Sequence, residues 1–239
     1  MPNTVDYDER RMHVELLNFL RGVARTVDPQ NRITVQTTTE AYESLDNGKL
    51  SVGASLSHVE NVVFEGESLV YGKDYLFHYD DDILKGETGL KGTIELLGSY
   101  NVSDEISFTY GVTSGAKSNL VYPDFPRIDL SKKSYPRIGF HTTTSTSPRG
   151  TTGGTQYTLN NSITIQIRVV ATTQRRVKAI QQKIRDKILE RHRGFYSFKY
   201  IKPTSQNTLN NFNEDNTQNS YYQEAVYEAP NQKEVITPQ

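Results

Sequence analysis

The chain opens with a helical pattern of apolar residues and then changes to the two-residue alternation of a β-strand. Within residues 5–27, apolar side chains recur at steps of three or four, which places them on one face of an α-helix. These residues are Met12, Leu16, Leu20, Val23 and Val27. After Asp28-Pro29, polar residues alternate with Ile33 and Val35. The pattern predicts an amphipathic helix followed by a half-covered strand.

Glycine-separated β-like runs fill the region from residue 47 to residue 112. The strongest runs are 59–64, 75–79, 93–97 and 105–112, and Gly66, Gly72, Gly86, Gly89, Gly92 and Gly98 mark the turns. Short strands at this spacing are typical of a small antiparallel sandwich or barrel.

The next region combines strands with a second helix. Residues 134–140 and 162–170 are predicted strands, and the stretch between them, residues 141–155, holds seven threonines and three glycines. Such a polar stretch buries too little surface to offset its ordering entropy, so we expect a mobile hairpin tip unless a partner orders it. A helix is predicted over residues 173–192, with Val177, Ile180, Ile184 and Ile188 as its buried stripe, and a strand over 195–201.

An asparagine-rich segment follows Pro203 and predicts an extended or disordered C-terminal arm. The predicted fold class is therefore α+β: a small antiparallel sheet packed by two helices, with an inserted β-sandwich-like module and this arm. The predicted boundaries are 1–32 and 121–202 for the α+β core, 33–120 for the module and 203–239 for the arm.

Composition narrows the possible functions. The 239 residues include no cysteine, which excludes disulfides, thiolate zinc sites and a cysteine nucleophile. The 27 basic and 28 acidic side chains nearly cancel, but residues 168–202 alone hold eleven basic and two acidic ones. No export signal and no apolar run of the ~20 residues needed to span a bilayer is found, so we expect a soluble protein made in a cytoplasm, with no membrane partner.

No residue pattern supports catalysis or cofactor binding. The segment from Gly111 to Ser118 departs from a phosphate-binding loop at Ala116, and Pro123 and Pro126 follow where a helix is required. The acidic run at 80–82 lacks the ligand spacing of a calcium loop, and no histidine pair has metal-binding spacing. We therefore expect a protein that is not an enzyme and has no cofactor or metal.

The basic helix has two interpretations. Its cations either contact nucleic-acid phosphates, with a salt-dependent affinity, or form an outer face that is solvated or meets the acidic surface of a like subunit. No aromatic side chains are interleaved for base stacking, which favours the second interpretation. The candidate interface residues are Arg175, Arg176, Lys178, Lys183, Arg185 and Lys187.

Two features together resemble a known family. The run Tyr135-Pro-Arg-Ile-Gly-Phe140, the polar hairpin, the strand Ile163–Val170 and the following helix resemble the core of tail terminator and tail-completion proteins of tailed viruses. In that family an N-terminal helix precedes a small antiparallel sheet, a second helix packs on the sheet, and six copies form a ring that closes the tail tube. The resemblance covers residues 5–32 and about 125–201.

This resemblance implies a structural virion protein assembled in the host cytoplasm. Its expected partners are further copies in a hexameric ring, the tail tube protein, the head-tail connector, and viral DNA passing through the lumen. The hairpin residues Arg149, Gly150, Thr151 and Gly153 are the candidates to reach a neighbour or the lumen.

The middle region is similar to a β-module of viral tail and adhesion proteins. Leu69–Tyr75, Gly92–Leu96 and Asp104–Tyr110 carry this similarity, and the simplest terminators lack the module. Two alternatives therefore stay open: another neck or tail subunit, such as a head-tail connector or tail tube protein, and a nucleic-acid-binding protein that uses the helix at 173–193.

Overall fold

The computed structural model describes residues 9–28, 31–52, 55–79, 92–113, 120–123, 136–150, 157–191, 194–198, 200–206, 210–214 and 218–236. The chain divides into two compact units, one formed by His13–Arg137 and the other by Met1–Met12 with Ile138–Gln239. We call them the N-terminal and C-terminal units. Each is described by itself.

Within the described residues, the fold is mixed α+β, with two α-helices, three sheets and mostly strands. The helices are α1 (Glu9–Val27) and α2 (Gln174–Glu190), and Tyr42–Ser44 form one 3-10 turn. The strands are β1 (Ile33–Ala41), β2 (Lys49–Val52), β3 (Ser55–Phe64), β4 (Glu67–Ser68), β5 (Tyr75–Tyr79), β6 (Gly92–Leu96), β7 (Glu105–Thr113), β8 (Val121–Pro123), β9 (Arg137–Gly150), β10 (Tyr157–Ala171), β11 (Lys202–Gln206), β12 (Asn210–Glu214) and β13 (Gln218–Ile236).

The N-terminal unit contains two antiparallel sheets, with strand orders β1-β7-β3-β4 and β2-β6-β5. Ile106, Phe108 and Tyr110 on β7 are buried, and the residues between them are half-buried, as the alternation predicts. The two sheets touch where Gly92 on β6 meets Leu56 on β3, because a Cβ on Gly92 would lie 2.2 Å from Leu56 Cδ2. The runs predicted at 75–79 and 105–112 are confirmed as β5 and β7.

Helix α1 is confirmed, and from His13 onward it belongs to the N-terminal unit. The side chain of Arg21 donates to the carbonyl of Ser57 on β3 at 3.2 Å, and Arg25 pairs with Glu60 on the same strand at 3.0 Å. This grouping differs from the predicted one, which placed residues 1–32 with 121–202. Apolar periodicity identified the helix but not its partner, since any apolar sheet face matches such a stripe.

The C-terminal unit contains the consecutive strands β11-β13-β10-β9, with β12 also paired to β13. Strands β10 and β13 are antiparallel over almost their full lengths, from Tyr157↔Ile236 to Ala171↔Tyr221. Helix α2 lies on one face of this sheet. Its stripe of Val177, Ile180, Ile184 and Ile188 is buried, as predicted, together with alternate residues of β10 and β13.

Beyond Pro203, the described residues form β11, β12 and β13 of the sheet and are not an arm apart from the core. Ala225, Tyr227 and Ala229 are buried at every second position of β13, and this strand lies between β10 and β11. The asparagine-rich composition concealed the alternation, because small alanines and amphipathic tyrosines supply the apolar positions there.

Two further local predictions differ from the structure. The strand predicted to end at Phe140 continues as β9 as far as Gly150, and residues 151–156 of the predicted hairpin tip lie outside the described residues. Residues 195–201 do not form a strand where the structure describes them. Phe195, Phe198 and Ile201 are all buried, and this spacing of three cannot place them on one face of a strand whose side chains alternate.

Candidate functional site

The β9–β10 hairpin is unusually long, with strands of 14 and 15 residues. Ile138 and Phe140 are buried, but Thr143, Thr144 and Ser145 are all exposed. Successive strand residues point to opposite faces, so both faces of the hairpin are exposed at these positions. The predicted residues Arg149 and Gly150 end β9, and Thr151 and Gly153 lie outside the described residues.

Helix α2 presents cations on the side opposite its buried stripe. It begins after Thr173, whose Oγ1 accepts a hydrogen bond from the backbone N–H of Arg176 at 3.3 Å. Among the six predicted interface residues, Arg175, Lys178 and Arg185 are exposed, and Arg176, Lys183 and Lys187 are half-buried. Lys187 forms an ion pair with Glu190. The exposed face therefore keeps a concentrated positive charge.

A cavity of about 220 Å³ lies beside this face, between α2 and β11. Its walls are polar and its floor is partly apolar, and no acidic residue lines it. The lining residues are Gln181, Arg185, Pro203, Thr204, Ser205, Gln206, Ala225 and Tyr227. We call it the α2–β11 cavity.

Gln181 is the buried polar wall of the α2–β11 cavity. Its side chain is 1% exposed, and its Nε2 donates to the carbonyls of Ile167 on β10 at 3.0 Å and Gln223 on β13 at 2.8 Å. Within the described part of the chain, Oε1 of Gln181 has no hydrogen-bond partner. Most buried polar atoms have a hydrogen-bond partner, so this oxygen is an exception within the core.

Tyr227 forms part of the floor. Burial raises the pKa of its phenol to about 12, so the ring is neutral at physiological pH. With Tyr227 neutral, Arg185 is the residue of the cavity lining that carries a formal charge, and this charge is positive. No carboxylate among the lining residues balances the guanidinium, and the negative charge of Asp186, next to Arg185 on α2, adds to the rise in the pKa of Tyr227. The lining itself therefore has the donors of an anion site.

The described histidines of the N-terminal unit are held in polar contacts. His58 is 1% exposed, with its Nδ1 3.3 Å from Ser57 Oγ and its Nε2 3.2 Å from Glu60 Oε1. His78 Nε2 lies 2.7 Å from Glu95, which also pairs with Lys49. Among the described residues, no group of three or more His, Asp and Glu side chains is placed to hold a metal ion.

Sequence reasoning found the cations of α2 but missed the cavity that one of them lines. Of the six predicted interface residues, only Arg185 lines the cavity. One signal was present: Gln181 follows Ile180 within the buried stripe, and a polar residue at a core position indicates a specific hydrogen-bonding role. Thr204 and Ser205 gave no comparable signal, because they fall in the segment predicted to be an arm.

A comparison with protein families finds none that matches this chain, and a comparison with curated proteins finds no matching relative. Neither helix, over the residues described, is long and apolar enough to cross a membrane.

Proposed function

We propose that this protein is a tail terminator of a tailed virus, a ring-forming virion subunit that caps the tail tube and joins it to the head connector. The observation that carries the proposal is the β9–β10 hairpin. Thr143, Thr144 and Ser145 are exposed on both faces, so a paired hairpin extends beyond any core that the described residues supply. Such an element has a clear use when a neighbouring subunit packs against it.

The element order of the C-terminal unit adds support. The long hairpin leads into α2, which lies on the sheet, as in the terminators that residues 5–32 and about 125–201 resemble. In this proposal the ring has six copies, and the inserted module, residues 33–120, is sandwich-like and lies on the outside, where its bulk leaves the channel open. Arg149 near the hairpin end then faces a neighbour or the DNA in the lumen.

The proposed mechanism is geometric and involves no catalysis. One face of the ring matches the last ring of the tail tube and stops its polymerisation, and the other face receives the connector. A heterologous ring gives each subunit two different complementary faces. The cations of α2 and the acidic surface elsewhere in the chain provide such a pair.

Native mass spectrometry and negative-stain electron microscopy of the purified full chain test the proposal directly. We expect closed rings of six subunits, and we expect added rings to halt growth of tail tubes. Open tubes or twelvefold rings would favour another neck or tail subunit. A chain that stays monomeric at high concentration and with tail tube present would refute the assembly function.

A variant with a shortened β9–β10 hairpin tests whether this hairpin is needed for assembly. Ser145 Oγ donates to the carbonyl of Ser162 at 3.2 Å, so residues 147–160 can be replaced by Asn-Gly without removing this contact. The core residues Ile138, Phe140, Ile163 and Ile165 stay in place. We expect the variant to keep its fold by circular dichroism and to lose ring formation. Normal rings from a folded variant would show that the hairpin does not assemble the protein.

A second function is favoured by the exposed cations Arg175, Lys178 and Arg185, which are suited to phosphate contacts. A duplex-DNA binding assay at low and moderate salt separates it from the terminator function. DNA binding by α2 requires an affinity that falls steeply with salt and is lost in the double variant Arg175→Glu/Lys178→Glu. Affinity that is weak and unchanged in this variant argues against it.

A further inference from the structure

The α2–β11 cavity has the chemistry to bind one acidic side chain. Arg185 supplies a cation, the hydroxyls of Thr204 and Ser205 supply further donors, and the lining contains no carboxylate. The carboxylate side chain of a peptide residue accepts hydrogen bonds from all of these groups.

The size of the cavity favours a side chain over a free cofactor. Its volume is about 220 Å³, which is below the roughly 300–1,000 Å³ of pockets that enclose drug-sized ligands. Its floor of Ala225 and the Tyr227 ring suits the methylene groups of an acidic side chain. We therefore expect the occupant to be part of a macromolecule.

Strand β11 does not favour addition of another strand. It begins with Lys202 and Pro203, and its register shifts between Pro203 and Ser205, so a cation, a residue with no N–H and a bulge interrupt this edge. Charges, prolines and bulges are the features that protect sheet edges from pairing. The occupant therefore enters by its side chain beside the strand.

Charge complementarity identifies a source of the acidic side chain. In the described residues of the N-terminal unit, six carboxylates are exposed, Glu43, Asp46, Glu60, Glu65, Glu67 and Glu105, against one exposed cation, Lys73. In α2 three cations, Arg175, Lys178 and Arg185, and two carboxylates, Asp186 and Glu190, are exposed, and three further cations are half-buried. Two copies of the chain thus offer surfaces of opposite sign, which orient association and suppress like-charged contacts.

We propose that the α2–β11 cavity is a docking site for an acidic side chain from the N-terminal unit of a second copy of this chain. This inference rests on the proposed ring assembly and assigns one of its two complementary faces. Arg185 binds the incoming carboxylate, and the hydroxyls of Thr204 and Ser205 donate hydrogen bonds to it.

The test compares cavity variants with a control that adds negative charge elsewhere on the same helix. Arg185→Glu reverses the charge in the cavity, and Ser205→Trp fills it from an exposed position. Ala179→Glu is the control, since Ala179 is exposed on α2, does not line the cavity and is not one of the candidate interface residues. Native mass spectrometry over a dilution series measures the concentration at which the assembly dissociates, and circular dichroism confirms that each variant is folded.

We expect both cavity variants to raise the dissociation concentration by about tenfold or more and Ala179→Glu to change it by less than about twofold. If the wild type forms rings and both cavity variants assemble equally well, the docking site is refuted and the terminator function stands. If Ala179→Glu weakens assembly as much as Arg185→Glu, the total charge of α2 governs assembly and the docking site is refuted. A wild-type monomer, with or without a small-molecule mass bound, refutes the ring and the docking site together.

Discussion

The side-chain amide of Asn18 on α1 pairs with both backbone polar groups of Val59 on β3. Asn18 Nδ2 donates to the Val59 carbonyl at 2.9 Å, and the Val59 N–H donates to Asn18 Oδ1 at 2.6 Å. The register of β3 against β7 shifts on both sides of Val59, between Leu56 and His58 and again between Val59 and Asn61. Asn18 thus supplies to an irregular strand the pair of hydrogen bonds that a neighbouring strand supplies elsewhere.

Replacing Asn18 with alanine is expected to destabilise the N-terminal unit by ~2 kcal/mol or more, since two backbone groups lose their partners. Asn61→Ala, a control at a half-buried position of the same strand, should change stability by less than about 1 kcal/mol. Urea unfolding followed by circular dichroism measures both. Equal losses in the two variants would mean that the Asn18–Val59 pairing contributes little.

A methyl group at Gly111 on β7 is expected to be costly. A Cβ there would lie 2.3 Å from Cε1 of His58 and 2.9 Å from Cγ2 of Ile33, both on neighbouring strands. Gly111→Ala should therefore lower the free energy of unfolding by ~1–3 kcal/mol. Gly22→Ala provides the contrast, because the nearest atom to its Cβ would be 3.5 Å away, and helical alanine should stabilise α1 by up to ~1 kcal/mol. Thermal denaturation of the two variants should give shifts of opposite sign.

Stability should fall as pH is lowered through the ordinary titration range of histidine. Burial lowers the pKa of His58, and its hydrogen bond to Glu60 opposes this effect, while the positive charges of Arg25 and Arg21 act in the same direction as burial. The unfolded chain, with a histidine pKa of about 6.5, then binds a proton more readily than the folded chain does. The stabilisation is complete above about pH 6.5 and decreases toward the lowered pKa. His58→Gln should flatten the stability profile just below about pH 6.5, and an unchanged profile would assign that dependence to other groups.

Gln181 should stabilise the C-terminal unit as well as line its cavity. Its Nε2 joins α2 to the carbonyls of Ile167 on β10 and Gln223 on β13. Gln181→Met keeps a similar size and removes both hydrogen bonds, so we expect a loss of ~2 kcal/mol. Gln182→Met makes the same change at the next position, which is exposed and hydrogen-bonded to Asp186, and should change stability by less than about 0.5 kcal/mol. Chemical denaturation distinguishes the two, and similar values would refute a structural role for Gln181.

Deleting residues 207–239 is expected to unfold the C-terminal unit, because the deletion removes β13 from its place beside β10. The buried Tyr227 and Ala229 leave the core at the same time. Removing only residues 237–239, which follow β13, should leave the fold intact. Limited proteolysis of residues 138–206 measures the difference, and a truncated chain that resists protease would show that β13 is dispensable.

The elements that the sequence predicted best are those with strong periodicity. The stripe from Val177 to Ile188 identified α2, and the alternation of Ile106, Phe108 and Tyr110 identified β7. Both patterns are local, because a helix or strand must bury one face wherever it packs. Phe195, Phe198 and Ile201 misled the prediction, because buried aromatics in an irregular segment have the composition of a strand without its period.

One part of the candidate site was predicted from the sequence and the other part was not. The cations of α2 were found from sequence, since charge opposite an apolar stripe is exposed almost by necessity. The α2–β11 cavity was not found, because it requires Gln181 and Ser205 to approach each other from separate elements, and no local pattern encodes that approach.

By itself, the sequence excluded cysteine chemistry and determined the two helices, the principal strands and the concentration of positive charge on residues 168–202. Only the tertiary structure decided that α1 packs on β3 and that the asparagine-rich segment lies within a sheet beside β10. The physical reason is that periodicity records which face of an element is buried and holds no information about its partner. That choice depends on long-range contacts such as the pairing of Asn18 with Val59, which form only when distant segments meet.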